Sequence, residues 1–240
     1  MRPAARRAAG SRLHSAGPGD HLDVSVDRER EKRVAAEAAA GLVRDGMRVG
    51  LGSGTTTEDL LPALARRNLS IRCVAAAPHI EREARELGLI VDPFDSVDHL
   101  DIAIDGADEI ADDGWLIKGG GAAHTREKIV AAAASRFVVI ADSTKSVPAL
   151  AAPVPVELLR FGLQATLRHL GSVTIRDVPP SPDGGIIADY HGDIGDPAAL
   201  SARLSALPGL VGHGLFPPQM VTLVLIGRGE SVEERRPQHA

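Results

Sequence analysis

Short aliphatic runs alternate with stretches of helical periodicity along most of this chain, and that alternation constrains its fold more than any other feature. A strand followed by a helix and a further strand is the repeating unit of a parallel sheet. Residues 28–44 place Val34, Ala38 and Leu42 one helical turn apart, and Gly46 supplies a stop. A strand is expected at 47–51, running into the loop Gly52-Ser53-Gly54-Thr55. Thr56 to Asp59 reads as a cap for the next helix, in which Pro62 is tolerated only near the start. Further strands are expected at 71–75, 89–91, 101–104 and 137–141, with a short extended piece at 115–117. Helices are expected at 79–87 and 125–134.

Beyond Ala151 the texture changes. Pro153 and Pro155 mark a boundary, and the segment to Pro218 reads strand, helix, two strands, helix, strand. Its pieces lie at 154–158, 162–170, 173–177, 185–190, 197–206 and 210–213. Pro182-Asp183-Gly184-Gly185 joins the middle strands as a hairpin, which makes a ferredoxin-like split unit. An apolar stretch at 221–226 returns to the first sheet. The expected architecture is α/β. A Rossmann-like parallel-sheet main domain spans 28–150 and 219–228, with a small ferredoxin-like α/β lid inserted at 151–218. Residues 1–27 read as a disordered leader, since the first nineteen carry four arginines and no acid. Residues 229–240 read as a solvated tail.

Composition removes several functional classes. Lys and Arg total 27 against 32 Asp and Glu, a formal net charge of -5, where a nucleic-acid binder carries a basic surplus. Aromatics at 2% leave no stacking platform for single strands. The single cysteine, Cys73, excludes an internal disulfide and a cysteine-built zinc site. No apolar run reaches membrane-spanning length. The expectation is a soluble, cytoplasmic protein with a small-molecule partner.

Three clusters carry chemistry, and all fall where strands give way to loops, the edge at which open α/β sheets bind ligands. The first is Gly50-Leu51-Gly52-Ser53-Gly54-Thr55-Thr56, whose glycines, helix-start N–H groups and hydroxyls suit a phosphate. No Gly-Lys-Ser/Thr follows, so it is not a P-loop. Thr55 stands at the third glycine position of a dinucleotide fingerprint, and the ribose-binding acid is missing, which argues against an NAD-dependent oxidoreductase. The second cluster is Asp105-Gly106-Ala107-Asp108-Glu109, carboxylates crowded enough to raise a pKa and move protons. The third is Lys118-Gly119-Gly120-Gly121 followed by Glu127 in the first turn of a helix: a cation and bare backbone beside a candidate general base. Together they suggest a small phosphorylated substrate and proton abstraction next to a carbonyl, with no redox cofactor and no metal.

The three motifs in this order resemble ribose-5-phosphate isomerase, type A. GLGSGTTT is similar to that family's glycine-rich loop, DGADEI to its acidic motif and KGGGAAHTREK to its signature KGGGAAxTREK; ADSTK, ending at Lys145, also matches. The resemblance covers residues 29–227. It implies conversion of D-ribose 5-phosphate to D-ribulose 5-phosphate through an enediolate, in a homodimer or homotetramer without cofactor. It implies Glu127 as general base, with Asp105, Asp108 and Lys118 as the other active-site groups. Substrate contacts are implied for Ser53, Gly54, Thr55, Thr56, Gly106, Ala107, Gly119, Gly120, Gly121, Lys145 and Lys32. Which of Asp105 and Asp108 assists ring opening stays open. The sequence departs from the family at His124, where an apolar residue is usual, at Ala75-Ala76-Ala77-Pro78-His79, and at the PDGG hairpin. A sugar-phosphate sensor of related fold is disfavoured because Glu127 and Lys118 would be unnecessary in it.

Overall fold

The structure, a computed structural model, describes residues 19–237, with side chains from residue 25 onward. Residues 1–18 of the expected leader and the last three residues of the expected tail lie outside the described residues.

The chain opens with α1 (Gly19–Ala40), then β1 (Arg48–Leu51), α2 (Thr55–Arg66), β2 (Arg72–Ala75), α3 (Pro78–Glu86) and β3 (Ile90–Val91). β4 (Ile102–Asp105), β5 (Glu109–Ala111), β6 (Leu116–Ile117), α4 (His124–Ala132), β7 (Phe137–Asp142) and β8 (Ser146–Val147) follow. The second part holds β9 (Val154–Leu158), α5 (Leu163–Leu170), β10 (Val173–Ile175), β11 (Ile186–Tyr190), α6 (Pro197–Ser205) and β12 (Leu210–His213). β13 (Leu215–Phe216), β14 (Leu223–Arg228) and β15 (Ser231–Arg235) close the fold.

The main sheet runs β15-β14-β7-β4-β1-β2-β3, parallel except for β15. Every residue of β4 and β7 is buried, as expected when helices cover both faces. From β1 the chain winds outward through β2 and β3, then crosses back to build β4, β7 and β14 on the other side. The strand order therefore reverses between β1 and β4, and at such a switch point the two carboxyl ends splay into a crevice. Leu51 pairs with Ile104, which sets Gly52 beside Asp105; a Cβ on Gly52 would lie 1.8 Å from the Asp105 carboxyl carbon. Only glycine can stand there.

The core is aliphatic and close-set. Ala35, Ala36 and Ala39 of α1 are fully buried, and a Cβ on Gly227 would fall 2.0 Å from the Glu31 carbonyl oxygen, so α1 lies directly on β14. Residues 154–213 form their own antiparallel sheet, ordered β10-β11-β9-β12, the ferredoxin-like arrangement. A third sheet, β13-β6-β5-β8, splices the two parts and was not expected from the sequence. Here Gly214 donates to Pro155 O at 2.7 Å, and the Lys118 N–H donates to Gly214 O at 2.9 Å.

Four local expectations need correction. α1 begins at Gly19 and ends at Ala40, so residues 19–27 are helical, and Gly46 stands in a later turn with φ of 79°. α2 starts at Thr55 on Gly54 without any side-chain cap, so the pattern from Thr56 to Asp59 does not act as one. Pro62 sits in the helix interior; the missing hydrogen bond is outweighed by burial of Leu60, Leu61 and Leu64 around it. The expected tail holds β15: Gly229 and Glu230 reverse the chain, Val232 packs on the core, and the charges of Glu233, Glu234 and Arg235 blunt the new edge.

Candidate active site

The crevice between β1 and β4 is a cavity of about 200 Å³. Each wall belongs to one of the sequence motifs. The β1–α2 loop brings Ser53, Gly54, Thr55 and Thr56; the loop after β4 brings Gly106, Ala107 and Asp108. The loop after β6 brings Lys118, Gly119, Gly120 and Gly121, and the first turn of α4 brings Glu127. Lys32 of α1 and Lys145 of the short turn after β7 stand at the cationic end. Asp105 alone among the expected residues does not line the cavity; it lies beneath it.

At the floor three charged groups are packed out of water: Lys118 is 2% exposed, Asp105 and Glu127 3% each. Lys118 Nζ lies 2.7 Å from Asp105 Oδ2 and 3.1 Å from Glu127 Oε2, and it donates to Gly106 O at 2.6 Å. Asp105 Oδ1 accepts the N–H groups of Ser53 (3.1 Å) and Gly106 (2.7 Å). Ser53 Oγ donates a short hydrogen bond to Glu127 Oε1. Each carboxylate is thus aimed by a neighbour. Burial, and then the Glu127 charge, push Asp105 above the usual carboxylate range, against the pull of Lys118. Burial also draws Lys118 down, but the two carboxylates outweigh it and hold the ammonium protonated.

Around this triad, Gly120 N–H donates to Asp108 Oδ2 at 2.7 Å, so that donor is engaged before any ligand arrives. Gly119 has φ of 110° and abuts the His124 ring, with a Cβ there only 2.9 Å from its Cγ. His124 is fully buried beside the Gly212 backbone, and burial lowers its pKa to about 3. Lys118 Nζ stands 5.5 Å from the centroid of the Phe216 ring, and Lys128 Nζ 4.8 Å from the same centroid. Lys128 donates to the carbonyls of His213 (2.6 Å) and Leu215 (2.9 Å), and burial lowers its pKa to about 8.

Sequence reasoning missed Arg28, Asp142 and Thr144 in the wall. Asp142 accepts the Thr144 N–H at 2.9 Å and its hydroxyl as well, shaping the turn that presents Lys145. Asp142 and Thr144 lie inside the ADSTK motif, so the signal was there but was assigned to Lys145 alone. Arg28, at the exposed rim, had no comparable mark. Glu31 was also missed: its carboxylate accepts Ser143 N–H and Gly229 N–H, both at 2.9 Å, and ties α1 to that turn.

A buried carboxylate aimed by a hydroxyl and a lysine, opening on a cavity with a cationic end, can move a proton on an anionic substrate and stabilise oxyanions. The comparisons agree with this chemistry. A family model described as ribose 5-phosphate isomerase A (phosphoriboisomerase A) matches residues 72–231. A ribose-5-phosphate isomerase A of Caulobacter vibrioides is 44% identical over 228 residues, spanning 88% of this chain and 100% of the relative. The crystal structure of ribose 5 phosphate isomerase A from Neisseria gonorrhoeae superposes with a TM-score of 0.84 at 30% identity, over 88% of this chain and 98% of that one. A D-ribose-5-phosphate isomerase in complex with phospho-erythronic acid superposes at 0.82 with 31% identity, over 87% and 99%. The chain belongs to the ribose 5-phosphate isomerase A family.

Proposed function

We propose that this chain interconverts D-ribose 5-phosphate and D-ribulose 5-phosphate through an enediolate, with Glu127 as the base. The observation that carries the reading is Glu127 itself: buried, lining the cavity, and held by Ser53 on one oxygen and Lys118 on the other. Glu127 takes the proton from C2 and returns it to C1. Lys118 and the Gly121 amide meet the charge that develops on the substrate oxygens, while the Gly120 amide stays on Asp108. Lys32, Lys145 and the loop from Ser53 to Thr56 hold the phosphate, where the N-terminus of α2 adds its dipole. Asp108 lines the cavity and suits ring opening and hydroxyl proton transfer; Asp105, beneath it, suits anchoring Lys118.

The same reading makes the enzyme cytoplasmic and a homodimer or homotetramer. Phe161, 92% exposed beside the half-exposed Leu159, offers an apolar surface for assembly. It also assigns the reaction neither cofactor nor metal; among the described residues no three His, Cys, Asp or Glu side chains are grouped to hold an ion. The test is ketose formation from ribose 5-phosphate without added cofactor, in the presence of EDTA. Solvent deuterium is expected to enter the product. No turnover, or turnover that EDTA abolishes and a divalent ion restores, overturns the reading.

A further inference from the structure

The glycine loop of the site is gripped from the lid by one side chain. Arg176, which follows β10, makes a two-pronged ion pair with Asp189 of β11, Nε at 2.8 Å and Nη2 at 2.6 Å. Its remaining nitrogen, Nη1, donates to the carbonyls of Gly119 at 2.8 Å and Gly120 at 3.1 Å. The Arg176 and Asp189 side chains are 17% and 20% exposed, so the ion pair is largely shielded from water.

The peptide unit is planar and trans, so the carbonyl of one residue and the N–H of the next point in opposite directions. Holding Gly119 O therefore aims the N–H of Gly120, and holding Gly120 O aims the N–H of Gly121. The first of these meets Asp108. The second belongs to the residue whose α-carbon faces Ser53 Oγ, 3.6 Å from an ideal Cβ, next to the hydroxyl that aims Glu127. Three consecutive glycines have wide backbone freedom, and ordering each residue costs conformational entropy. Amide donors help a developing oxyanion only if they are already in place when the charge appears.

We propose that Arg176 is a positioning residue for the reaction: from the lid it holds the Gly120 amide on Asp108 and sets the direction of the Gly121 amide, and so couples lid placement to enediolate stabilisation. Asp189 orients the guanidinium and leaves Nη1 as the arm that reaches across. The inference rests on the isomerase reading above. A second strap between the two parts, Arg126 on Asp183 at 2.7 and 2.8 Å, is more exposed (36% and 54%) and touches no glycine carbonyl, so it serves as the control.

The test uses the full chain with Arg176→Gln, Arg176→Lys and Asp183→Asn. It measures kcat, KM for ribose 5-phosphate, and inhibition by phospho-erythronic acid and by inorganic phosphate. The carboxylate of phospho-erythronic acid stands in for the enediolate oxygens, whereas inorganic phosphate reports the phosphate end alone. A misplacement of about 1 Å costs about a hundredfold in rate, so kcat of Arg176→Gln should fall about 10- to 100-fold. Phospho-erythronic acid should weaken by a similar factor. KM and phosphate inhibition should stay within about twofold, because those contacts lie elsewhere. Added guanidinium ion should restore part of kcat, and Asp183→Asn should match the wild type. Wild-type kcat in Arg176→Gln, or equal weakening of phosphate and phospho-erythronic acid, overturns the proposal. If Arg176→Gln does not fold, Arg176→Lys decides: it keeps the charge beside Asp189 but cannot span both carbonyls, and full activity refutes the idea. An inactive wild type would sink the isomerase reading itself, which separates the two failures.

Discussion

Replacing Lys118 with methionine tests whether the buried triad is a charge-balanced unit. Methionine keeps most of the aliphatic length against Phe216 but removes the ammonium that lies 2.7 Å from Asp105 and 3.1 Å from Glu127. Two carboxylates, each 3% exposed, are then left facing one another without a cation. Breaking a buried pair by removing one partner costs about 3–5 kcal/mol. Asp105 keeps the N–H groups of Ser53 and Gly106, so the low end, about 3 kcal/mol, is expected near neutral pH. The loss should depend on pH in a defined sense. Asp105 is already pushed upward in the wild type, and the missing ammonium pushes it further. A carboxyl whose folded pKa exceeds its unfolded one binds more protons in the native state, so stability falls as pH rises through that window. The slope is about 1.4 kcal/mol per pH unit for each proton. Urea unfolding followed by the single tryptophan, Trp115, at several pH values between about 5 and 8 reads this directly. The variant should approach the wild type at the acid end and separate from it at the alkaline end. A pH-independent difference, or no difference, would refute the argument. Turnover should fall by about a hundredfold or more in the same variant, as for loss of an oxyanion donor.

Glu127→Gln keeps size and hydrogen bonding but removes the basic lone pair; kcat should fall about 10²- to 10⁴-fold with KM little changed, and near-normal steady-state turnover would transfer the role to another carboxylate. His124→Leu should raise stability in urea near neutral pH, because it replaces a fully buried polar imidazole with an apolar side chain. The same variant should flatten the acid limb. The His124 pKa is lowered from 6.5 to about 3, so the wild type loses stability as pH falls through that interval while the unfolded chain takes the proton. An unchanged limb by circular dichroism would mean that another group titrates there.

What could be read from the sequence was set by local chemistry. Strands β9 and β12 fall where the aliphatic runs predicted them, and the glycine and acid motifs converge because each ends a strand at the switch point. Pro62 and the bounds of α1 were misread because both depend on burial against partners distant in sequence. β15 hid in a charged stretch whose only apolar signal is Val232. The main feature of the site that sequence did not suggest is Arg176, since its partners are carbonyl oxygens that no side-chain pattern reveals. His124 was visible as a departure from the family pattern, but not its complete burial.

Phe216 carries two cations of unlike character. Two lysines lie over this ring: Lys118, fixed as an ion by two acids, and Lys128, held by carbonyls and brought down to about 8. Their unlike neighbours give them different proton occupancies through the mildly alkaline range. Counting every lysine as +1 therefore overstates the charge of the interior as pH climbs past 8, by the fraction of Lys128 that has become a neutral amine.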